Sequence, residues 1–340
     1  MSPGGGGGGT TAETVGGAGG VSGVSGSGKS TLVREVLSHN ITSRIGTAKK
    51  RARKSDFYGC DNIEGIQSIT RVLEVDQTPI GKTPRSCPAT YVGFWDAIRK
   101  LFAATSEASI RGYAASRFSF NTGAGRCPVC EGQGMTRVEM NFLPDVKVLC
   151  DDCNGARFDR ETLSIQWRGK NIGEVLAMPV DEAVDFFEAH PAVHHALRLM
   201  QDVGLGYLTL GQHSPTLSGG EAQRLKLVTE LSKAKPTRDN PDGRRSKHNH
   251  TLYLLDEPTV GLHMADVEKL IRVLHRLVAA GHSVIVIEHN LDLLAECDWL
   301  VDIGPEGGDK GGQVVAQGTP ATVAKRKRSK TGQYLAGLLG

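Results

Sequence analysis

The sequence predicts an α/β fold in which helices cover a parallel sheet and a cysteine-bearing module is inserted between its parts. Three observations carry this prediction. A glycine-rich loop ending in Lys-Ser precedes a helical stretch at residues 30–38. An apolar strand at 252–255 leads through a helix at about 265–280 to a second strand at 283–287. Four cysteines stand in two close pairs between these regions. Strand–helix–strand alternation requires parallel pairing, because the crossover helix returns the chain to the edge it left.

Residues 1–20 hold ten of the 43 glycines and read as a low-complexity tail. The stretch 12–20 therefore predicts no buried strand ahead of the loop, since interior glycine costs entropy and packs nothing. Residues 21–102 alternate β-rich pieces (69–76) with helical ones (30–38, 94–102) and form the first part of the α/β core. Residues 103–205 read as an insertion, with a helical stretch at 172–203. Residues 206–335 return to the core, interrupted by a polar, proline-bearing loop at 233–250. A hairpin is expected at 136–145.

The 340 residues carry a net charge of +3, which forces no nucleic-acid partner. Basic runs at 44–54 and 325–330 are compatible with phosphate contact or with solvated surface. The apolar runs at 252–255 and 284–287 fall far short of the roughly 18 residues a membrane span needs. No leader-like start is present, so the expected compartment is cytoplasm, with no membrane partner.

Gly23-Val24-Ser25-Gly26-Ser27-Gly28-Lys29-Ser30 fits G-x-x-x-x-G-K-S, with Thr31 opening a helix. The glycines let backbone N–H groups surround a phosphate at a helix N-terminus. Lys29 would neutralise β/γ-phosphate charge, and Ser30 would offer its hydroxyl to Mg²⁺. A glycine-rich linker matching by chance is the alternative, and the Lys-Ser-Thr offset argues against it. The strand at 252–255 runs into Asp256 and Glu257, which suits a Mg²⁺-shell carboxylate and a general base for the attacking water. The next strand ends in Glu288-His289, where His289 could reach a γ-phosphate.

Ser218-Gly219-Gly220-Glu221, followed by Gln223-Arg224, places a second anion-binding helix start in the same chain. Two such sites imply a nucleotide clamped from both sides, and the combination resembles the ATP-binding-cassette ATPases. In that family the Ser-Gly-Gly helix of one module closes over ATP held by another. Gln77, after the strand at 69–76, stands where the family places a glutamine that senses Mg²⁺ and water.

Cys127-Pro-Val-Cys130 and Cys150-Asp-Asp-Cys153 are separated by 19 residues, the spacing of a structural, four-thiolate Zn²⁺ site. Disulfides are the alternative, disfavoured in cytoplasm. Around them Arg111, Arg117, Phe118, Arg126, Arg137, Asn141 and Phe142 interleave basic, polar and aromatic side chains. Arginine for phosphate and aromatics for stacking compose a nucleic-acid surface, and equally an ordinary core with a charged rim.

A phosphate loop and a Ser-Gly-Gly helix separated by a zinc-type insert resembles the UvrA family of excision-repair ATPases. The resemblance spans about residues 23–339 and includes Val75-Asp76-Gln77-Thr78-Pro79-Ile80-Gly81, Arg117-Phe118-Ser119-Phe120-Asn121, the four cysteines and Ile303-Gly304-Pro305-Glu306-Gly307-Gly308. It implies ATP-dependent binding of damaged double-stranded DNA with UvrB and UvrC as partners. It also implies tandem cassettes, of which this chain resembles the C-terminal one, so that an N-terminal half or a second copy would complete each ATP site. Cys87 departs from the Asn usual in the family, and 233–250 reads as an added loop. A transport-type cassette subunit and a weakly catalytic, zinc-dependent DNA-binding fragment are the competing readings.

Overall fold

The computed structural model describes residues 16–45, 57–81, 83–140, 146–233 and 250–340. The expected loop at 233–250, its end residues apart, lies outside them, as do Asn141 and Phe142. The chain divides into two compact units. One comprises Met1–Glu74, Thr237–Glu257 and Ile271–Gly340, and the other Val75–Pro236 and Pro258–Leu270.

In chain order the strands are β1 (Gly17–Gly23), β2 (Ile69–Val75), β3 (Met135–Val138), β4 (Val146–Leu149), β5 (Gln166–Trp167), β6 (Lys170–Asn171), β7 (His250–Asp256), β8 (Ser283–Ile287), β9 (Trp299–Gly304) and β10 (Gln313–Gly318). The first unit is built on a six-stranded sheet in the order β10-β9-β1-β8-β7-β2. β1 pairs in parallel with β8 and β9, β7 pairs in parallel with β8, and β10 closes one edge antiparallel to β9. Leu252, Tyr253, Leu254 and Leu255 of β7 are all buried, as an unbroken apolar run between two covered faces requires. Val21, Leu252, Leu254, Ile287 and Ile303 form the core with Val33 and Ile41 of the helical stretch that follows the loop.

One expectation is corrected. The glycine-rich stretch ahead of the phosphate loop is the central strand of the sheet, hydrogen-bonded on both sides. Its neighbours occupy the space its side chains would fill. A Cβ on Gly20 would lie 2.4 Å from Leu300 Cδ2 and 3.0 Å from both Cys297 Sγ and Leu294 Cδ2. Close packing over a bare backbone thus replaces side-chain burial, and two ladders of backbone hydrogen bonds offset the entropy cost.

Asp302 of β9 is 2 % exposed, and three hydroxyls converge on it. Its carboxylate accepts from Ser22 of β1 at 2.9 Å, from Ser329 at 2.6 Å and from Thr331 at 2.9 Å. Ser329 in turn caps the helix Lys330–Leu339, its side chain accepting from the Gly332 N–H at 2.7 Å. The carboxylate therefore ties the central strand to that helix.

The second unit is mainly helical. The expected helical stretch 172–203 is three helices, Ile172–Ala177, Val180–Phe186 and Pro191–Asp202, broken where Pro179 and Pro191 disfavour helix at the residue before them. Of the hairpin expected at 136–145, β3 overlaps the range but pairs antiparallel with β4 at Val146–Leu149, beyond it, and residues 141–145 lie outside the described ones.

Replacing Asp302 with Ala leaves the buried Ser22 and Ser329 hydroxyls and the half-buried Thr331 hydroxyl without their shared acceptor. Asp302→Ala is expected to lower stability by about 3 kcal/mol in equilibrium chemical denaturation. A loss below about 1 kcal/mol would show that the network is not a principal tie.

Candidate nucleotide and metal sites

The phosphate loop, residues 23–30, leaves β1 at a backbone close approach. Gly23 has φ +136°, and a Cβ there would lie 2.0 Å from the Ile303 carbonyl oxygen. Gly26 and Gly28 take φ +74° and +96°, so the loop curls back before Thr31–Ser38 begins as a π-helix. The Ser30 hydroxyl makes no capping hydrogen bond to that helix. Lys29 folds over the loop, its Nζ donating to Gly23 O at 3.0 Å and Val24 O at 2.9 Å. Burial lowers its pKa, and the carboxylates of Glu257, Asp256 and Asp302 oppose that shift. The Ser27 hydroxyl is buried without a hydrogen-bond partner. An inward-turned ammonium, an orphaned hydroxyl and a left-handed glycine cradle fit a phosphate chain with its metal.

The segment after β9 that includes Gly307 and Gly308, part of the motif at 303–308 that carries the resemblance, braces this loop. The glycine-rich turn between β9 and β10 lies against it, with Gly308 N–H donating to Gly26 O at 3.1 Å and Gly312 N–H to Ser27 O at 2.9 Å. A Cβ on Gly307 would come within 2.6 Å of Ser25 O.

Asp256 ends β7, and burial raises its pKa, with the Arg34 guanidinium opposing. Arg34 Nη1 stands 3.4 Å from Asp256 Oδ2 and its Nε also pairs with Glu74. The next residue, Glu257, adopts φ +48°, a strained setting for a non-glycine residue, and its N–H donates to Ile287 O at 2.8 Å. Its carboxylate stands 3.6 Å from His289 Nε2. The buried Glu288 carboxylate accepts from the N–H groups of His289 (2.6 Å) and Asn290 (2.9 Å), fixing the backbone that presents His289. The first unit thus brings together the loop, Asp256, Glu257 and His289, with Arg34 and Glu288 as additional participants.

Gln77 and the Ser218-Gly219-Gly220 segment fall in the second unit. Ser218 and Glu221 form a reciprocal cap. The Ser218 N–H donates to Glu221 Oε2 at 2.6 Å, and the Glu221 N–H donates to Ser218 Oγ at 3.3 Å. Burial works against ionising Glu221, but hydrogen bonds from Tyr207 and Ser218 hold its pKa below the ordinary value. A Cβ on Gly219 would lie 3.0 Å from Gln77 Cβ, so the glutamine packs against the start of this helix. Gln223 and Lys226 grip the preceding chain through Val75 O (2.8 Å) and Asp76.

The four cysteine sulfurs all lie within 4.8 Å of one another and are buried. Cys127 and Cys150 are 3.9 Å apart and Cys130 and Cys153 3.6 Å, with none disulfide-bonded. Zinc–sulfur bonds of about 2.3 Å in a tetrahedron separate sulfurs by about 3.8 Å, so the donor set fits Zn²⁺. The Gly134 N–H donates to Cys130 Sγ at 3.2 Å, the kind of contact that favours a thiolate. Without a metal, burial pushes the Cys153 thiol up to about 11 and Cys127 in the same direction, so metal binding must displace protons.

The arginine and aromatic residues divide. Phe118 is fully buried with its ring 5.6 Å from Phe102, so as core it offers no face to a base, which corrects its placing in a nucleic-acid surface. Arg117 is engaged by Asp159 (2.9 Å), Glu161 (3.0 Å) and Thr162 (2.9 Å). Arg111 pairs with Glu107 and Ser164, Arg126 lies 3.8 Å from Glu131, and Arg137 is exposed on β3.

No protein-family model matches the chain. Over 319 residues it is 54 % identical to UvrABC system protein A of Aquifex aeolicus, covering 92 % of this chain and 32 % of that protein. Over 312 residues it is 54 % identical to UvrABC system protein A of Thermus thermophilus, covering 92 % and 31 %. The crystal structure of UvrA2 from Deinococcus radiodurans matches with a TM-score of 0.79 at 48 % identity, covering 94 % of this chain and 37 % of that one. The chain spans about a third of the length of the curated relatives it matches. The structural match bears out the cassette-type α/β fold. Among the described residues no helix is long and apolar enough to cross a membrane.

Purified protein is expected to carry about one zinc per chain, and Cys127→Ser to lose it. Metal analysis reads this directly, and undiminished zinc in the variant would remove the cysteines from the site.

Proposed function

Because the chain is homologous to about a third of UvrABC system protein A, we propose that it works as the C-terminal ATPase cassette of a UvrA-type nucleotide-excision-repair protein. The observation that supports this most is the convergence of Lys29, Asp256 and Glu257 in one unit, within a chain about half identical to those relatives. Gly23, Ser25, Gly26, Gly28, Lys29 and Thr31 hold the ATP phosphates through backbone N–H groups and the ammonium. Ser30 and Asp256 hold Mg²⁺, which when bound neutralises charge on the β- and γ-phosphates. Glu257 takes the proton of the attacking water, and His289, fixed through Glu288, orients toward the γ-phosphate. Gln77 senses the metal and water. Ser218, Gly219, Gly220 and Glu221 close over ATP held by a second cassette, which is a UvrA N-terminal half or another copy of this chain.

Cys127, Cys130, Cys150 and Cys153 hold a structural Zn²⁺. Double-stranded, damaged DNA is the substrate surface, with Arg111, Arg117, Arg126, Arg137, Asn141 and Phe142 as its contacts. UvrB and UvrC are the partners and the cytoplasm is the compartment. Purified chain is tested for ATP turnover with and without damaged duplex DNA. Zinc-dependent DNA binding with no turnover, even beside a second cassette, would favour a DNA-binding fragment instead.

Glu257→Gln keeps the phosphate and metal contacts and loses the base. It is expected to retain ATP while hydrolysis falls at least about a hundredfold. Parental turnover, or failure to bind nucleotide, counts against the assigned role.

A composite site requires two cassettes, so specific activity is expected to rise with protein concentration or with an added UvrA N-terminal half. Ser218→Arg is expected to poison mixed assemblies by blocking the partner's phosphate. Constant specific activity down to concentrations where light scattering reports only monomer would exclude the composite site.

A further inference from the structure

Arg157 is 2 % exposed and left-handed at φ +71°, a setting few non-glycine residues hold. Its backbone belongs to the cysteine centre. The Cys127 N–H donates to Arg157 O at 3.0 Å, and the Arg157 N–H faces the Cys153 sulfur. Its side chain leads elsewhere. The guanidinium passes over the Phe120 ring at 4.9 Å, and Nη2 donates to Gly211 O at 2.5 Å. The same nitrogen lies 3.4 Å and 3.5 Å from the two ring nitrogens of His213.

His213 continues the chain of contacts. Its Nδ1 lies 2.8 Å from Pro84 O, and facing a carbonyl it must be the protonated nitrogen, which leaves Nε2 to accept from Arg157. The next residue, Ser214, donates its N–H to Ser86 O at 2.9 Å and opens the turn Ser214–Thr216, immediately before Leu217 and the Ser218 cap. One arginine thus touches the cysteine knuckles with its backbone and the approach to the Ser-Gly-Gly helix with its side chain.

Charge explains why an arginine stands there. A buried guanidinium without compensation is costly, and Nη1 of Arg157 is buried with no hydrogen-bond partner among the described residues. Cys87, Cys130 and Cys153 lie within electrostatic reach of it. As thiols they supply no countercharge. Four thiolates around one Zn²⁺ leave a net negative centre, which is what this cation needs.

We infer that Arg157 is a positioning residue that couples the four-cysteine centre to residues 211–218, so that metal occupancy sets the order of the segment entering the Ser218-Gly219-Gly220 helix. The inference rests on the proposal that the cysteines hold zinc. Amide hydrogen exchange of the full chain tests it, with the helix Pro191–Asp202 as internal reference. In the parent, chelating the zinc is expected to speed exchange at residues 211–217 about tenfold while the reference helix is unchanged. Arg157→Gln with zinc still bound is expected to show the fast exchange already, and Arg157→Lys to restore part of the protection. Zinc-bound parent whose segment ignores chelation, or a zinc-bound Gln variant with parental protection, overturns the coupling alone. Parent purified without zinc overturns the zinc reading and the coupling together. The parental comparison needs no variant, so it decides the matter even if Arg157→Gln fails to fold.

Discussion

The first unit depends on one constraint, the close approach of three strands around a spine in which four of seven residues are glycine. β1 can sit between β8 and β9 because Gly20 leaves room for Leu300, Leu294 and Cys297, which meet where its Cβ would be. At the end of the strand Gly23 again leaves no room for a side chain, since a Cβ there would lie 2.0 Å from the Ile303 carbonyl oxygen. The turn of the phosphate loop is therefore set by packing inside the sheet as well as by the loop's own residues. Its free side is then held by the glycine-rich turn after β9. Phosphate cradle, central strand and brace are one piece of backbone geometry.

Charge around that cradle is arranged with a small margin. Lys29 is drawn inward by two carbonyls and kept cationic against burial by three carboxylates, among them Asp302, which belongs to a structural network. Asp256 is itself disfavoured as an anion by burial and is offset by Arg34. Positive and negative groups here are mutually dependent, so removal of any one changes the ionisation balance of the others.

Much of this was legible in the sequence. The lysine–serine loop, the aliphatic run into Asp256 and Glu257, the Ser-x-x-Glu cap and the paired cysteines carry their chemistry in local spacing, and strand 283–287 falls where alternation and β-branching place it. The central strand was not legible, because glycine has no pattern to read and its burial is decided by Leu300 and Leu294, far away in sequence. Phe118 was ambiguous for a related reason. An aromatic beside an arginine looks the same whether it faces solvent or Phe102, and only packing separates the two. Arg34, Glu288 and Arg157 act through partners distant in sequence or through backbone direction, neither of which a linear motif records.

The bond between Ser22 and Asp302 joins residues 280 positions apart. During synthesis the central strand emerges long before β8 and β9 exist to flank it, and the whole second unit is made in between. Contacts of such high sequence separation make the first unit a late and slow event in folding, governed by loop closure rather than by local propensity. A glycine strand suits that wait. With Val21 as its one large apolar side chain, it offers little to a premature partner while its true neighbours are still being made.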